Sequence, residues 1–122
     1  LSNDGGFILD IFNPNPEYFL KNPEKKRTRF EYPDPYSDKT VTIYETNEYD
    51  KAKQINRIKW YYHIGNEFIR EEELNMRIFY PQEIDALLKY NGFEIINKYG
   101  DFNEAPFDTD SPKQLIECKR IK

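Results

Sequence analysis

The chain has 122 residues, one domain's length, since domains usually run about 100–200 residues. Hydrophobic residues reach only 38% but aromatics 16% (Tyr 10, Phe 9, Trp 1), a concentration of large rings that suits strands and clefts and excludes a disordered chain. Lys+Arg 18 against Asp+Glu 22 leaves a net charge of -4, so no basic face favours nucleic acid as a partner.

Asp4-Gly5-Gly6 signals a turn and leads into Gly6-Phe7-Ile8-Leu9-Asp10-Ile11-Phe12, which ends at Asn13-Pro14-Asn15-Pro16. Phe7, Leu9 and Ile11 point one way, Ile8 and Phe12 the other, and only Asp10 interrupts. Such a strand is expected in the centre of an α/β sheet with helices on both faces. Residues 14–39, rich in Pro, Asn and charge, read as loop with one helical turn at Glu17–Lys21. Thr40–Thr46 is β-branched and predicts a strand. Tyr49–Lys53 is the expected reversal, Gln54–Ile64 a second strand and Gly65-Asn66 a hairpin loop. A third strand runs through Phe68, Ile69 and Leu74 to Phe79, completing a meander with one wet face.

Tyr80–Gly92 carries the helix signature. Pro81 suits the first turn, Glu83 and Asp85 the positive N-terminus, Ile84, Leu87 and Leu88 form an apolar stripe, and Gly92 stops it. Phe93–Tyr99 is a strand, Gly100–Pro112 a loop, and Gln114–Ile121 the last strand. No internal repeat or low-complexity tract is present.

A strand apolar on both faces needs a layer on each side, yet the chain offers one good helix. Burying Phe7, Ile8, Leu9, Ile11 and Phe12 is worth about 1.5–3 kcal/mol per side chain. The expectation is that another segment of the natural polypeptide covers the second face, ahead of a homodimer. Leu1 in place of Met fits a trimmed segment. An edge position with one flank hydrated would remove this argument. One cysteine, Cys118, rules out an internal disulfide and a Cys-based zinc site, and with a single His no transition-metal set is expected. No apolar run reaches the roughly 20 residues of a membrane span and no signal-peptide pattern opens the chain, so a cytoplasmic setting with no membrane partner is expected.

In this order the pieces resemble the C-terminal half of a class I S-adenosylmethionine-dependent methyltransferase, a Rossmann-like α/β fold that looks α+β in this segment alone. The pieces are Gly5-Gly6-Phe7 before a strand ending in Asn13-Pro14, an inserted meander, Tyr80-Pro81-Gln82-Glu83-Ile84 with Leu87-Leu88, Asn91-Gly92-Phe93, Gly100-Asp101-Phe102 and a final apolar strand. The resemblance implies that 6–12 is the fifth sheet strand, 81–91 and 93–99 the last helix and sixth strand, and 114–121 an antiparallel seventh strand inserted between the fifth and sixth. Residues 1–13 and 81–122 would be core, and 14–80 a loop and antiparallel lid on the substrate side. The departure is the cofactor loop. Gly5, Gly6, Gly65, Gly92 and Gly100 make no GxGxG pattern, and only such a loop lets backbone approach the cofactor closely. S-adenosylmethionine would therefore be bound mainly by an N-terminal half outside this sequence, and this chain should not methylate unaided.

Ligands in open α/β sheets lie beyond the carboxyl ends of strands, which singles out Phe12 and Asn13, against a core ring and a plain turn. Arg77 and Tyr80 lie between the third meander strand and the helix, where Arg77 could grip a carboxylate or phosphate or simply pair with Glu71, Glu72 or Glu73. Tyr49, Gln54 and Trp60-Tyr61-Tyr62-His63 could form an aromatic substrate wall with His63 as a base, or be ordinary cross-strand packing. Cys118 reads as a buried small hydrophobe, and Lys25–Arg29 as a solvated loop or a phosphate contact. Methyl transfer from a sulfonium needs mainly in-line positioning, so no catalytic, cofactor-binding or metal residue is assigned. The competing reading is a non-enzymatic α+β ligand-binding or dimerisation module. A nucleic-acid acceptor is a less favoured variant of the methyltransferase reading, whose expected acceptor is a small molecule.

Overall fold

The computed structural model describes residues 1–20 and 23–121. Its elements are β1 (Gly6–Phe12), α1 (Pro16–Phe19), β2 (Arg27–Pro33), β3 (Thr40–Asp50), β4 (Ile55–Ile64), β5 (Glu67–Arg77), α2 (Pro81–Tyr90), β6 (Phe93–Tyr99) and β7 (Lys113–Arg120). They form two compact units: Leu1–Pro14 with the chain from Phe79 onward, and Asn15–Ile78.

The first unit is a three-stranded sheet in the order β1-β7-β6. The last strand of the chain lies in the middle and runs antiparallel to both neighbours, with Leu9 opposite Ile116 and Ile95 opposite Cys118. Alternation sends Gln114, Ile116 and Cys118 to one face, all at 0% exposure. Phe7, Leu9 and Ile11 of β1 and Phe93 and Ile95 of β6 pack around Ile116 and Cys118, and α2 closes the layer with Ile84 and Leu88. The helix is bounded as its sequence demands. Pro81 occupies the first turn, the Glu83 carboxylate accepts from the Tyr80 backbone N–H at 3.4 Å, and Gly92 turns out with φ +87°. Gly6 is required by close approach, since a Cβ there would sit 2.9 Å from the Cys118 carbonyl oxygen.

Two expectations are corrected here. β1 is an edge strand, not a central one, and only one of its faces is packed. Ile8 is 69% and Phe12 40% exposed. The chain supplies a single helical layer and a single strand partner for β1, so shielding on both faces is not achieved and cannot by itself argue for an absent half. Leu87 is also exposed, because the α2 stripe that meets the sheet is only as wide as Ile84 and Leu88.

The second unit is a four-stranded antiparallel meander, β2-β3-β4-β5. β3 runs on to Asp50, whose carboxylate accepts from the Ala52 and Lys53 N–H groups at 3.1 and 3.0 Å and so builds the reversal into β4. Gly65, at φ +59°, opens the two-residue loop between Ile64 and Glu67. Within residues 14–39, expected to be loop, 27–33 form β2, because Thr28, Phe30 and Tyr32 suit a pleated surface and β3 offers a free edge. The helical turn is Pro16–Phe19, capped by Asn15; Lys21 of the expected turn lies outside the described residues. Among the described residues no helix is long and apolar enough to cross a membrane.

Replacing Ile116 by Ala should lower stability by about 2–5 kcal/mol in urea unfolding. Leu87→Ala, at an exposed helix position, should stay within about 0.5 kcal/mol of the parent.

Candidate functional site

At the carboxyl end of β1, three of the residues singled out from the sequence are gathered by one that was not. Gln114 is wholly buried, and its Nε2 donates to the Phe79 carbonyl at 3.0 Å and the Phe12 carbonyl at 3.4 Å. The end of β1 is thereby tied to the residue preceding Tyr80, the N-cap of α2. Its Oε1 is buried with no protein partner. Asn13 adds a second tie. Its backbone N–H donates to the Pro112 carbonyl at 3.1 Å, and its Nδ2 to the Ser111 carbonyl at 2.9 Å and the Thr109 carbonyl at 3.5 Å. Asn13 therefore pins the 100–112 loop against the strand end, and the exposed ring of Phe12 stands beside it. A signal for Gln114 was present in the sequence: it shares the alternation of Ile116 and Cys118, and a polar residue on a core face needs partners.

The four-stranded sheet divides the other candidates. Alternation puts Trp60 and Tyr62 on one face of β4 and Tyr61 and His63 on the other, so the four-residue cluster is not one wall. Tyr49 stacks on Phe19 at 4.4 Å and pairs with Asn56. His63 pairs with Thr42 on the opposite face, about 23 Å further along β4 at 3.3 Å per residue. It stands edge-on to Tyr44 at 5.2 Å and Phe68 at 5.5 Å. Arg77 pairs with Ile55, at the far end of β4 from His63, and its Nη1 donates to the Ile78 carbonyl. Glu71 and Glu72 are bridged by Lys59 and Arg70 at 3.6 and 3.2 Å. Gln54 belongs to the β3–β4 turn at φ +53°, and its carbonyl accepts from the Ile78 N–H at 2.8 Å. On the Trp60 and Tyr62 face lies a groove of about 320 Å³, lined mainly by Tyr32, Tyr36, Val41, Tyr62, Ile64 and Ile69.

That face also holds a buried polar network with no counterpart among the sequence expectations. Glu45, Asn47 and Asn56 are at most 4% exposed. The Tyr18 hydroxyl donates to Glu45 Oε1, and Arg29 Nε lies 3.3 Å from Glu45 Oε2. Arg27 Nη2 donates to Asn47 Oδ1, and Asn47 Nδ2 donates to Asn56 Oδ1 at 3.3 Å and the Tyr18 carbonyl at 3.5 Å. The Tyr18 phenol is pushed up to about 12, first by burial, then by its hydrogen bond to the Glu45 carboxylate and that group's charge. A phenol so held stays neutral, so the network fastens α1 to β3 rather than offering a base. Cys118 is equally unsuited to chemistry. It is fully buried, and burial, with the charges of Asp85 and Glu117, raises its thiol pKa. Among the described residues no His, Cys, Asp and Glu group could hold a metal ion.

No family model matches the chain, and no curated protein resembles it in sequence. Solved structures do resemble it in fold. It superposes on the CcbJ methyltransferase from Streptomyces caelestis with a TM-score of 0.76 at 20% identity, over 95% of this chain and 46% of that one. It superposes on an S-adenosylmethionine-dependent methyltransferase from Clostridium acetobutylicum with a TM-score of 0.64 at 21% identity, over 97% of this chain and 45% of that one. The chain is thus a small α+β assembly of antiparallel sheets that has the fold of part of these methyltransferases, and it spans less than half of their length.

The raised Tyr18 pKa carries a sign. Its folded value lies above the ordinary 10.0, so the stability it contributes is complete below pH 10 and is lost as pH climbs toward about 12. In an ultraviolet pH titration, one tyrosine should ionise near pH 12, Tyr18→Phe should remove that step, and Glu45→Gln should move it toward the ordinary value.

Proposed function

We propose that this chain is the substrate-side and C-terminal portion of an S-adenosylmethionine-dependent methyltransferase acting on a small-molecule acceptor, and that it is inactive alone. The observation that carries this reading is the strand order β1-β7-β6, with the last strand antiparallel between two earlier ones, within a fold shared with part of known methyltransferases. The isolated chain is inactive because none of its five glycines is spaced to make a cofactor loop.

The sheet edges support the idea that β1 meets a further strand in the working protein. Free edges are normally blunted by charge, Pro or bulges. β2 carries Arg27, Arg29, Glu31 and Pro33 with an extra residue at Arg29. β5 carries Glu67, Arg70 and Glu71–Glu73 with an extra residue at Ile69. β6 carries Glu94 and Lys98 with an extra residue at Ile96. β1 pairs with β7 in unbroken register and has one charge, Asp10, along an edge of Phe, Ile and Leu. It is the undefended edge among the described strands, as expected of a strand that is interior when its neighbour is present.

In this reading the bound cofactor supplies an electrophilic methyl group, and the residues of this chain orient the acceptor. Phe12 offers a ring to the acceptor, while Asn13 and Gln114 fix the backbone on which Phe12 and Tyr80 stand. Arg77, Tyr49 and His63 cannot line a single wall with one another, so any contact they make with an acceptor is separate.

Two measurements test this. The chain alone should give no heat with S-adenosylmethionine and should self-associate with rising concentration in sedimentation, an effect that Ile8→Lys on the bare flank reduces. The chain extended by its upstream-encoded segment should bind S-adenosylmethionine and protect the β1 amides from hydrogen exchange. A folded extended chain that binds no cofactor and dimerises through β1 would instead establish the dimerisation module.

A further inference from the structure

On the face of the four-stranded sheet that carries Tyr61 and His63, an open depression of about 320 Å³ is lined by Lys26, Tyr44, His63, Gly65 and Asn66. We propose that it is a binding pocket for an oxyanion group, phosphate or carboxylate, carried on a small molecule. The Lys26 ammonium lies 4.0 Å above the Tyr61 ring, which fixes its position over the sheet, and among the described residues it has no carboxylate partner. The Tyr44 hydroxyl, the His63 ring nitrogens and the Asn66 amide likewise make no hydrogen bond among the described residues. Four side chains that can donate hydrogen bonds thus border one depression, one of them a cation, and none is engaged by a carboxylate among the described residues, a set able to hold an oxyanion.

The surroundings favour a negative ligand. Glu67 pairs with Ile64 and so takes the opposite face of the sheet from His63. Glu31 shares the His63 face but lies two strands away, across Thr42, at about 10 Å by strand spacing, and Glu71, opposite Tyr61 on that same face, lies 3.6 Å from the Lys59 ammonium, which offsets its charge. The stem of Lys39 passes Gly65, where a Cβ would stand 3.3 Å from the lysine Cδ, bringing a second basic side chain to the rim. His63 is held between the Tyr44 and Phe68 edges, so its ring is oriented before any ligand arrives. The volume suits a compact molecule rather than a polymer, being at the low end of the roughly 300–1,000 Å³ of small-molecule pockets. The cavity lies wholly within the Asn15–Ile78 unit and needs no cofactor, so this proposal does not rest on the methyltransferase reading.

His63 is the single histidine of the chain, so its ring-proton resonances are unambiguous reporters. At slightly acidic pH and constant ionic strength, chloride is exchanged stepwise for inorganic phosphate, and separately for acetate. A saturable shift beyond that seen in chloride is expected with at least one of them. Saturation with phosphate alone assigns a phosphate source, with acetate alone a carboxylate source, and with both the shared oxyanion chemistry. Lys26→Gln, at an exposed position that leaves the dispersed spectrum intact, should weaken the binding by about tenfold, and Tyr44→Phe should weaken it while preserving the ring packing. Shifts no larger than in chloride, or binding unchanged in Lys26→Gln, would overturn the proposal.

Discussion

Gln114, Ile116 and Cys118 sit at 0% exposure on a strand hydrogen-bonded along both edges, and the Leu1–Pro14 and Phe79-onward unit is organised around that burial. β7 comes last in the chain and lies between β1 and β6, which do not pair with each other. Gly6 pairs with Lys119, and Phe93 with Arg120, so the sheet is built from contacts distant in sequence. Such contacts carry a loop-closure cost before they are rewarded. Once β7 is seated, α2 needs only Ile84 and Leu88 to close the layer, which explains a helix with a narrow apolar stripe and an exposed Leu87.

The same strand gives the β1 end its chemistry. Gln114 stands where alternation calls for an apolar side chain, and it spends its amide on the Phe12 and Phe79 carbonyls. A buried amide in that place ties a strand end to a helix start more specifically than a leucine could, at the cost of an acceptor left without a protein partner. The tie holds the position where an open α/β sheet presents its ligands.

The four-stranded unit manages charge differently on its two faces. Arg27 and Arg29 of β2 turn toward Asn47 and Glu45 and are consumed in a buried network with Tyr18. Lys26, one residue before Arg27, lies instead over Tyr61 on the opposite face. The basic run is therefore divided by the pleat: Arg27 and Arg29 meet the buried Asn47 and Glu45 on one face, while Lys26 takes the other.

Local chemistry in the sequence determined most of the elements. The 6–12 strand, the Gly65-Asn66 loop, the Pro81–Tyr90 helix and the closing strand follow from alternation, a positive-φ glycine and helix-end residues, all of which act over a few positions. The placement of the last strand between the first and sixth was legible only through the resemblance of the ordered pieces, and the structure has that order. Tertiary structure alone decided that β1 lies at an edge, that 27–33 is a strand, that Tyr49 and His63 occupy opposite faces, and that Glu45, Asn47 and Asn56 are buried. The physical reason is common to these. Alternation reports which side chains share a face, but whether that face meets water, a helix or an arginine depends on partners that lie elsewhere in the chain.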